Sequence, residues 1–394
     1  MRRFLLVLVA GVFAYAAGGG TSFEAEGAVL GLRTTPPGQV LVLNANLFQA
    51  ANKYGAPSRC PDLTPGHPKY EESRACAPRA RKGRFARRVR ALALKPIADG
   101  AVSDGMGYAP DVITLQEVSA GDTRRIADLL NTFTGGAFDY RVAISRLSFP
   151  DAVGRRTNAI LYSAATLEKL DAHGVLSVTG GGAPTRGVLF SAFRERRTRF
   201  GATGQPIAVA NVHFPLEKHF RTPRAADLTK ARWVEDIADE LERADPPEGL
   251  GIGATVIGGD FNSGRCSAAP QPIGDEPADN PAATWAPVRE NPGCSARPFW
   301  NALHNRGYVD TIYAANSATI NQQYRDGDAF RRYRIDHIFA RGFGTHLDAS
   351  FDITCGFVPS APAWQRNCRW LRSSQRYSDH RLQWALLGLD PSPL

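Results

Sequence analysis

Asp260 and Asn262 carry two side chains that can take part in hydrolysis, and they follow a strand-like stretch, 254–257, of mostly β-branched and apolar residues. Gly258 and Gly259 lie between, where the absence of side chains lets the backbone approach another group closely. Because residues two apart in an extended chain point to the same face, the carboxylate and the amide converge on one spot. A carboxylate can accept a proton from water or bind a cation, and an amide can orient that water or hold a phosphate oxygen. A strand end with an Asx turn explains the same residues without any chemistry, so the interpretation depends on the rest of the chain.

Similar acid, amide and imidazole side chains recur at other predicted strands of this chain. They are Asn44 and Asn46, Glu117, Asn211 and His213, Asp336, and the pair Asp379 and His380. A single histidine in a strand is more often structural than catalytic, and an Asp-His pair is common by chance. A charge within a strand, such as that of Asp336, is costly unless it is paired. Chance does not readily explain so many strands that end in these groups, and together they predict one shared active site.

Hydrophobic periodicity predicts the elements that must position these side chains. Strands are predicted at 39–48, 111–118, 140–145, 157–162, 187–195, 206–214, 254–260, 333–340 and 382–387. Helices are predicted at 83–98, 121–133, 224–243 and 299–306. The helix 224–243 has an apolar stripe formed by Ala231, Val234, Ile237, Ala238 and Leu241. It leads into the strand 254–260, which makes a helix-to-strand crossover next to Asp260.

The N-terminus has the pattern of a secretory signal. Arg2 and Arg3 precede an apolar run, 4–14, and small residues follow before three glycines. The run is too short to span a bilayer comfortably. We therefore expect residues 1–17 to be a signal peptide, 18–37 to be a leader, and the mature protein to be extracellular with no stable membrane insertion. An uncleaved anchor is the alternative.

The cysteines agree with export. There are six, Cys60, Cys76, Cys266, Cys294, Cys355 and Cys368, and they form neither a C-x-x-C pair nor a zinc spacing. This pattern is typical of disulfides formed in an oxidising compartment. We expect sequential pairing, since each neighbouring couple flanks a Pro-, Gly- or Arg-rich stretch. The stretch 263–298, rich in Pro, Ala and Asn, is then a stapled surface insertion.

The polar motifs also occur in a familiar order. The series is Asn44-x-Asn46, Gln116-Glu117, Thr157-Asn158, Asn211-x-His213, Gly259-Asp260-x-Asn262, Arg334-x-Asp336-His337 and Ser378-Asp379-His380. This series resembles the endonuclease/exonuclease/phosphatase superfamily, whose members include pancreatic-type deoxyribonuclease and bacterial sphingomyelinases. The resemblance implies one domain, 38–390, with an α/β fold. That fold is a four-layer sandwich of two mainly antiparallel β-sheets packed face to face, with helices on both outer faces and the site at one edge of the sheets.

The resemblance also implies a role for each matched residue. Glu117 would be the principal ligand of a divalent cation, helped by Asn46, Asp379 and Asn44; the cation would be Mg²⁺, with Mn²⁺ or Ca²⁺ as alternatives. Asp260 would activate or align the attacking water, and Asn262 would place that water or a phosphate oxygen. Asp336 would orient His380 for acid/base work or for contact with the scissile phosphate, and His213 would donate to the phosphate or act as a second acid/base group. Asn158 and Asn211 would contact the substrate.

The leading functional interpretation is a secreted, metal-dependent phosphodiester hydrolase that acts on DNA or RNA as a monomer. The formal net charge of +9 favours a polyanionic substrate. Asn46 stands where repair-type members carry an aspartate, which argues against that branch. The alternative is a sphingomyelinase-like, phospholipid or inositol phosphate phosphoesterase, for which Phe299-Trp300 and the segment 364–370 are the candidate membrane contacts. An inactive binding module on the same fold is a third reading, and the complete set of acid/base and metal positions argues against it.

Overall fold

A computed structural model describes residues 32–47, 92, 107–119, 122–147, 156–196, 204–243, 252–263, 297–311, 314, 336–351 and 382–389. The strands of these segments are β1 (Gln39–Asn46), β2 (Val112–Ser119), β3 (Tyr140–Leu147), β4 (Arg156–Ser163), β5 (Leu167–Gly180), β6 (Ala183–Glu195), β7 (Pro206–His213), β8 (Ala254–Asp260), β9 (Val309–Asp310), β10 (Asp336–Arg341), β11 (Phe343–Phe351) and β12 (Gln383–Leu389). The helices are α1 (Asp122–Phe133), α2 (Pro223–Arg243) and α3 (Pro298–Asn305), and a 3₁₀ turn spans Glu217–His219.

The strands form two six-stranded sheets. The first sheet has the order β11-β12-β1-β2-β4-β3, and the second has the order β5-β6-β7-β8-β10-β9. Each sheet has one parallel pair near its centre, β1 with β2 and β7 with β8, and the other neighbouring strands are antiparallel. Since parallel strands end at the same edge of a sheet, each pair delivers two strand ends to one place.

Three apolar clusters define the layers. One fills the space between the sheets with residues of both, such as Val42 of β1 and Val209 of β7. A second packs α1, through Ile126 and Leu130, on the outer face of the first sheet. A third packs α2 and α3 on the outer face of the second sheet around Trp233. This arrangement confirms the predicted four-layer α/β sandwich. None of the helices in the described segments has the length and apolar character needed to cross a membrane.

Most of the predicted elements are present, with small shifts at their ends, but three strands were not predicted: β5, β11 and the two-residue β9. All three lie at outer edges of the sheets. In β5 most alternate side chains are exposed, and its sequence includes Asp171 and Gly174, which are uncommon in strands. β11 contains two register shifts against β12 and is similarly polar. An edge strand lacks the continuous apolar pattern that marks an interior strand, and this explains the omission.

Several other predictions fall partly or wholly outside the described segments. Of the predicted strand 333–340, residues 333–335 lie outside the described residues, and the rest forms β10, in which Asp336 pairs with Asp260. The predicted helix 83–98 lies outside the described residues except for Leu92, which is helical and buried. The signal peptide, the leader up to residue 31, the six cysteines and nearly all of the 263–298 insertion also lie outside them.

Candidate active site at the joined strand ends

The parallel pair of the second sheet brings three predicted site residues together. His213 is the last residue of β7 and Asp260 the last of β8, and the two are register partners. Asp336 pairs with Asp260 from the other side. Gly259 makes this packing possible, since a Cβ added there would come within 2.0 Å of the carbonyl oxygen of Val212. Its φ of 147° also favours glycine over residues that carry a side chain.

In the first sheet, a bulge presents Glu117. The pairing of β2 with β4 shifts register between Leu115 and Val118, and Glu117 has a left-handed φ of 54°. In a regular strand Gln116 and Glu117 would point to opposite faces. Here both side chains reach residues of the second sheet, Gln116 at Asn211 and Glu117 near His213. The bulge therefore turns Glu117 into the site, a common role for bulges beside active sites.

These strand ends meet around the imidazole of His213. Its Nε2 lies 3.7 Å from Oε1 of Glu117 and 3.7 Å from Oδ2 of Asp260. The amide Nδ2 of Asn46, at the end of β1, donates to Oδ2 of Asp260 over 2.9 Å. All four side chains are at least nine-tenths buried. The two sheets thus bring together two carboxylates, an imidazole and an amide in one buried site. Charges interact more strongly there than in water.

The turn after β8 holds Asp260 in place. The backbone N–H of Asn262 donates to Oδ1 of Asp260 over 2.7 Å, and its Nδ2 donates to Oδ2 over 3.2 Å. The same Nδ2 donates to the carbonyl of Phe214 over 2.7 Å. The nitrogen of this amide is thus committed to the protein, so its oxygen is the end that can accept a hydrogen from water. Donors around Asp260 stabilise its ionised form, the form a general base needs.

A chain of buried amides lies beneath the site. Oδ1 of Asn44 accepts from Thr114 Oγ1 over 2.8 Å and from Gln116 Nε2 over 2.9 Å. Gln116 Nε2 also donates to Oδ1 of Asn211 over 2.7 Å. Nδ2 of Asn211 then donates across to the first sheet, to the carbonyls of Leu115 (2.9 Å) and Ala159 (2.8 Å), the last register pair of β2 and β4 before the bulge. These contacts favour a positioning role for Asn44 and Asn211; their predicted roles as metal ligand and substrate contact stay predictions.

Asn158 has a different environment. It is fully buried on β4, and in the part of the chain that the structure describes neither its Oδ1 nor its Nδ2 has a hydrogen-bond partner. A buried amide without partners is costly, and a phosphate oxygen is one group that could satisfy its nitrogen. This environment suits the substrate contact predicted for Asn158.

The last two predicted site residues, Asp379 and His380, lie outside the described residues. The strand that follows them, β12, pairs with β1 and starts at Gln383. Nε2 of Gln383 donates to the backbone carbonyl of Asp336 across the two sheets. Asp336 itself is fully buried. The expected contact between Asp336 and His380 stays a prediction.

A divalent cation is implied by the family resemblance, and its donor set can be tested against the described residues. No group of three or more His, Cys, Asp or Glu side chains within the described segments is placed to hold a metal ion. Glu117 offers a carboxylate, and Asn46, whose Nδ2 is directed at Asp260, can offer its amide oxygen. These are hard oxygen donors, which suit Mg²⁺, Mn²⁺ or Ca²⁺ rather than zinc. The residues fit such an ion, with Asp379 as the further predicted ligand.

The sequence reasoning assigned no role to several residues that support the site. They are Thr114, Gln116 and Gln383, whose hydrogen bonds are described above, and Lys230 of α2. Lys230 is 1 % exposed and lies on the apolar stripe of α2, four residues after Ala226 and four before Val234. A lysine within the apolar stripe of a helix indicates a buried amine that needs partners, and the sequence does contain this signal. Burial lowers the pKa of Lys230 to about 7, and the negative charges of Glu217 and Asp260 act in the opposite direction.

The proposed membrane contact at Phe299 and Trp300 is wrong. Phe299 is fully buried and Trp300 is 7 % exposed, and both belong to the apolar cluster between α3 and the second sheet. Their rings pack against Phe339 and His337. The segment 364–370, the other candidate, lies outside the described residues.

Comparison with known proteins agrees with the fold. The chain matches the family model "Endonuclease/Exonuclease/phosphatase family" over residues 44–380. Among solved structures it is similar to an endonuclease/exonuclease/phosphatase family protein of Bacteroides thetaiotaomicron, with 14% identity, a TM-score of 0.50, and coverage of 91% of this chain and 100% of that chain. A mannosyl-6-phosphatase of the same organism is 13% identical, with a TM-score of 0.46 and coverage of 88% and 99%. The human Nocturnin catalytic domain with bound sulfate anion is 11% identical, with a TM-score of 0.45 and coverage of 89% and 95%. A search of the curated proteins found no match.

Proposed function

This chain belongs to the endonuclease/exonuclease/phosphatase family, and we propose that it is a secreted, divalent-metal-dependent phosphodiester hydrolase that cleaves DNA or RNA. Membership of the family supports a phosphoesterase in general. The observation that carries the hydrolytic part of this proposal is the meeting of Glu117, His213 and Asp260. The imidazole lies 3.7 Å from each carboxylate, at the joined ends of strands from two sheets. One group that can accept a proton and one that can donate a proton are thereby held side by side.

In the proposed reaction, Asp260 accepts a proton from water as that water attacks phosphorus. Its carboxylate is fixed by donors from Asn46 and Asn262, so it needs no reorientation during the reaction. The amide oxygen of Asn262 aligns the same water. His213 donates a hydrogen to a phosphate oxygen, and its neighbouring carboxylates stabilise the protonated ring. Asn158 contacts the phosphate through its buried amide.

The metal would be held by Glu117, Asn46 and Asp379. When bound, it supplies positive charge that stabilises the negative charge developing on the phosphate. His380, oriented by Asp336 as the family resemblance implies, is assigned to donate a proton to the leaving oxygen as its bond to phosphorus breaks.

The choice of nucleic acid as substrate rests on charge. The whole chain carries 47 Lys and Arg against 38 Asp and Glu, which gives the formal net charge of +9. Contacts from Lys and Arg to phosphates supply much of the affinity for nucleic acids, and each contact makes binding more dependent on salt. Secretion rests on the N-terminal signal pattern and on the cysteines. We further propose that the mature protein acts as a monomer.

The test is hydrolysis by the purified mature protein of plasmid DNA, RNA, sphingomyelin and a soluble phosphomonoester, each with Mg²⁺ and with chelator. Asp260→Ala and His380→Ala are the active-site variants, and Asp171→Asn, at an exposed carboxylate of β5, is the matched control. We expect chelator-sensitive cleavage of nucleic acid that is lost in both active-site variants and kept in the control. Cleavage of the lipid or the monoester with intact nucleic acid would contradict the proposed substrate. Full activity in chelator would contradict the metal.

A further inference from the structure

The turn Phe261–Asn262–Ser263 after β8 presents the two groups assigned to the attacking water. Asn262 adopts a left-handed φ of 48° in this turn. Asparagine adopts that conformation more readily than most residues with a side chain, and the surrounding contacts select it here. The contacts that hold this turn therefore bear directly on the geometry of Asp260 and Asn262.

Lys230 holds the turn from the side of α2. Its Nζ donates to the carbonyl oxygens of Phe261 (2.9 Å) and Asn262 (3.1 Å) and to Oγ of Ser263 (2.8 Å). The protonated amine can donate to all three acceptors at once, and the neutral amine can donate to two of them. The nitrogen also lies 5.8 Å from the centroid of the Phe220 ring, which provides a cation–π contact.

His337 holds the same turn from the side of β10. Its Nε2 lies 3.1 Å from the carbonyl oxygen of Ser263, and its Nδ1 lies 2.8 Å from Oδ2 of Asp310. A carbonyl oxygen can only accept, so Nε2 carries the hydrogen of that bond. Ser263 is thus held at its hydroxyl by Lys230 and at its carbonyl by His337.

The turn and the catalytic groups are mechanically coupled. The backbone N–H of Asn262 donates to Asp260, and the side chain of Asn262 donates to the carbonyl of Phe214, the residue after His213. A shift of the turn therefore changes the position of Asp260 relative to His213. Displacement of a catalytic group by about 1 Å can lower the rate by about 10²-fold.

From these contacts we infer that Lys230 is a positioning residue, which holds the Phe261–Ser263 turn so that Asp260 and Asn262 face His213 and Glu117. This inference rests on the proposed function of that site. An apolar side chain would fill the same place in the cluster of α2 without the cost of burying an amine. The hydrogen bonds to the turn are what an apolar residue could not supply.

The test compares Lys230→Met with Ile237→Ala. Methionine keeps a long unbranched stem and removes the three donors. Ile237 is buried on the same face of α2, two turns farther along, and belongs to the same apolar cluster, so its truncation destabilises the helix packing without touching the turn. We expect Lys230→Met to lower kcat by roughly 10- to 100-fold with little change in KM. Ile237→Ala should keep both constants, measured well below its unfolding temperature.

The second readout is hydrogen exchange of the native protein. Lys230→Met should accelerate exchange at the backbone amides of Asn262 and Ser263 selectively, and Ile237→Ala should not. If Lys230→Met does not fold, Ser263→Ala tests the same contact, since it removes only the hydroxyl acceptor; a several-fold fall in kcat at unchanged KM is then expected. Unchanged kcat in the folded lysine variant, or equal falls in both helix variants, would overturn the inference. If the lysine variant does not fold, unchanged kcat in Ser263→Ala would also overturn the inference.

Each assay uses plasmid DNA and bis(4-nitrophenyl) phosphate in parallel. A wild-type protein that hydrolyses only the small diester contradicts the proposed substrate, and the ratio of variant to wild type on that diester still decides the role of Lys230. The exchange measurement needs no substrate. The proposed substrate and the positioning role of Lys230 can therefore be contradicted independently of each other.

Discussion

The space between the two sheets has an apolar half and a polar half, and the change occurs within single strands. On β1, Val40 and Val42 belong to the inter-sheet core, and Asn44 and Asn46 continue the same face. The same change occurs on other strands of both sheets: Val112 to Thr114 and Gln116 on β2, Ile207 and Val209 to Asn211 and His213 on β7, Val256 to Gly258 and Asp260 on β8, and Ala385 to Gln383 on β12. The same alternation of side chains therefore builds the apolar core at one end of each strand and the polar site at the other.

The contrast shows how a polar site can lie between two sheets without separating them. Apolar packing joins the sheets at one end of this space. At the other end the sheets are joined by hydrogen bonds from Asn46, Gln116 and Asn211. Amide side chains suit this task because each offers donors and acceptors without a charge. The polar half can then hold its carboxylates in fixed positions.

The largest effect is expected in β8, which has residues in both halves. Asp260→Asn should lower kcat by about 10²- to 10⁴-fold, because the amide cannot accept the proton of the attacking water. Val256→Ala, four residues away on the same face, should leave kcat nearly unchanged and lower the free energy of unfolding by about 2 kcal/mol. Steady-state kinetics and denaturant titration of both variants check this. A similar fall in kcat in both variants would contradict the idea that the polar half determines activity and the apolar half determines stability.

The next effect concerns the amides that join the sheets. Asn211→Leu is close in size but removes the donors to the carbonyls of Leu115 and Ala159 and the acceptor for Gln116. We expect the free energy of unfolding to fall by about 2–4 kcal/mol, since buried polar groups lose their partners. We also expect kcat to fall about tenfold as the bulge beside Glu117 loosens. A variant as stable as the wild type would contradict the cross-sheet role of this residue.

A smaller effect concerns the protonation of Lys230, a buried amine on α2. Burial lowers the pKa of Lys230 from 10.5 to about 7, with Glu217, Asp260 and Asp227 acting to raise it and Arg297 acting to lower it. Between these two values the unfolded chain holds one more proton at Lys230 than the folded protein. Stability therefore rises with pH above about 7, by about 1.4 kcal/mol per unit, and is independent of this group below both values.

The measurement for Lys230 is the free energy of unfolding of the wild type and of Lys230→Met, each from pH 6 to pH 9. The difference, wild type minus variant, should be flat near pH 6 and should increase above pH 7. A difference that decreases with pH would mean that the folded state favours the ammonium form, contrary to this expectation.

The smallest effect is expected in the apolar half of β7. Ile207→Val removes one methylene group from the inter-sheet core and should cost about 1 kcal/mol of unfolding free energy. Because Ile207 lies six residues before His213 on the same face, kcat should stay the same. Kinetic assays at 25 °C and thermal denaturation would check both points, and a measurable fall in kcat would mean that packing in the apolar half reaches the site.

The sequence by itself determined the family, the α/β class, most of the strands and helices, and the residues that meet at the site. It could do so because interior strands carry an uninterrupted apolar pattern that ends in Asn46, His213 and Asp260. The exposed edge strands β5 and β11 lack that pattern and were missed. Phe299 and Trp300 were candidate membrane contacts only under the alternative lipid phosphoesterase, and an aromatic pair in sequence does not show which element will cover it.

Only the tertiary structure decided how the site residues are arranged. Glu117 faces His213 because a bulge in the pairing of β2 with β4 reverses the alternation that the sequence alone implies. Asn211 joins the sheets, and Lys230 reaches the turn after Asp260 from a helix. Hydrogen bonds between residues far apart in sequence depend on register and on the packing of layers. Local spacing encodes which side chains share a face, but not which atoms across the interface they meet.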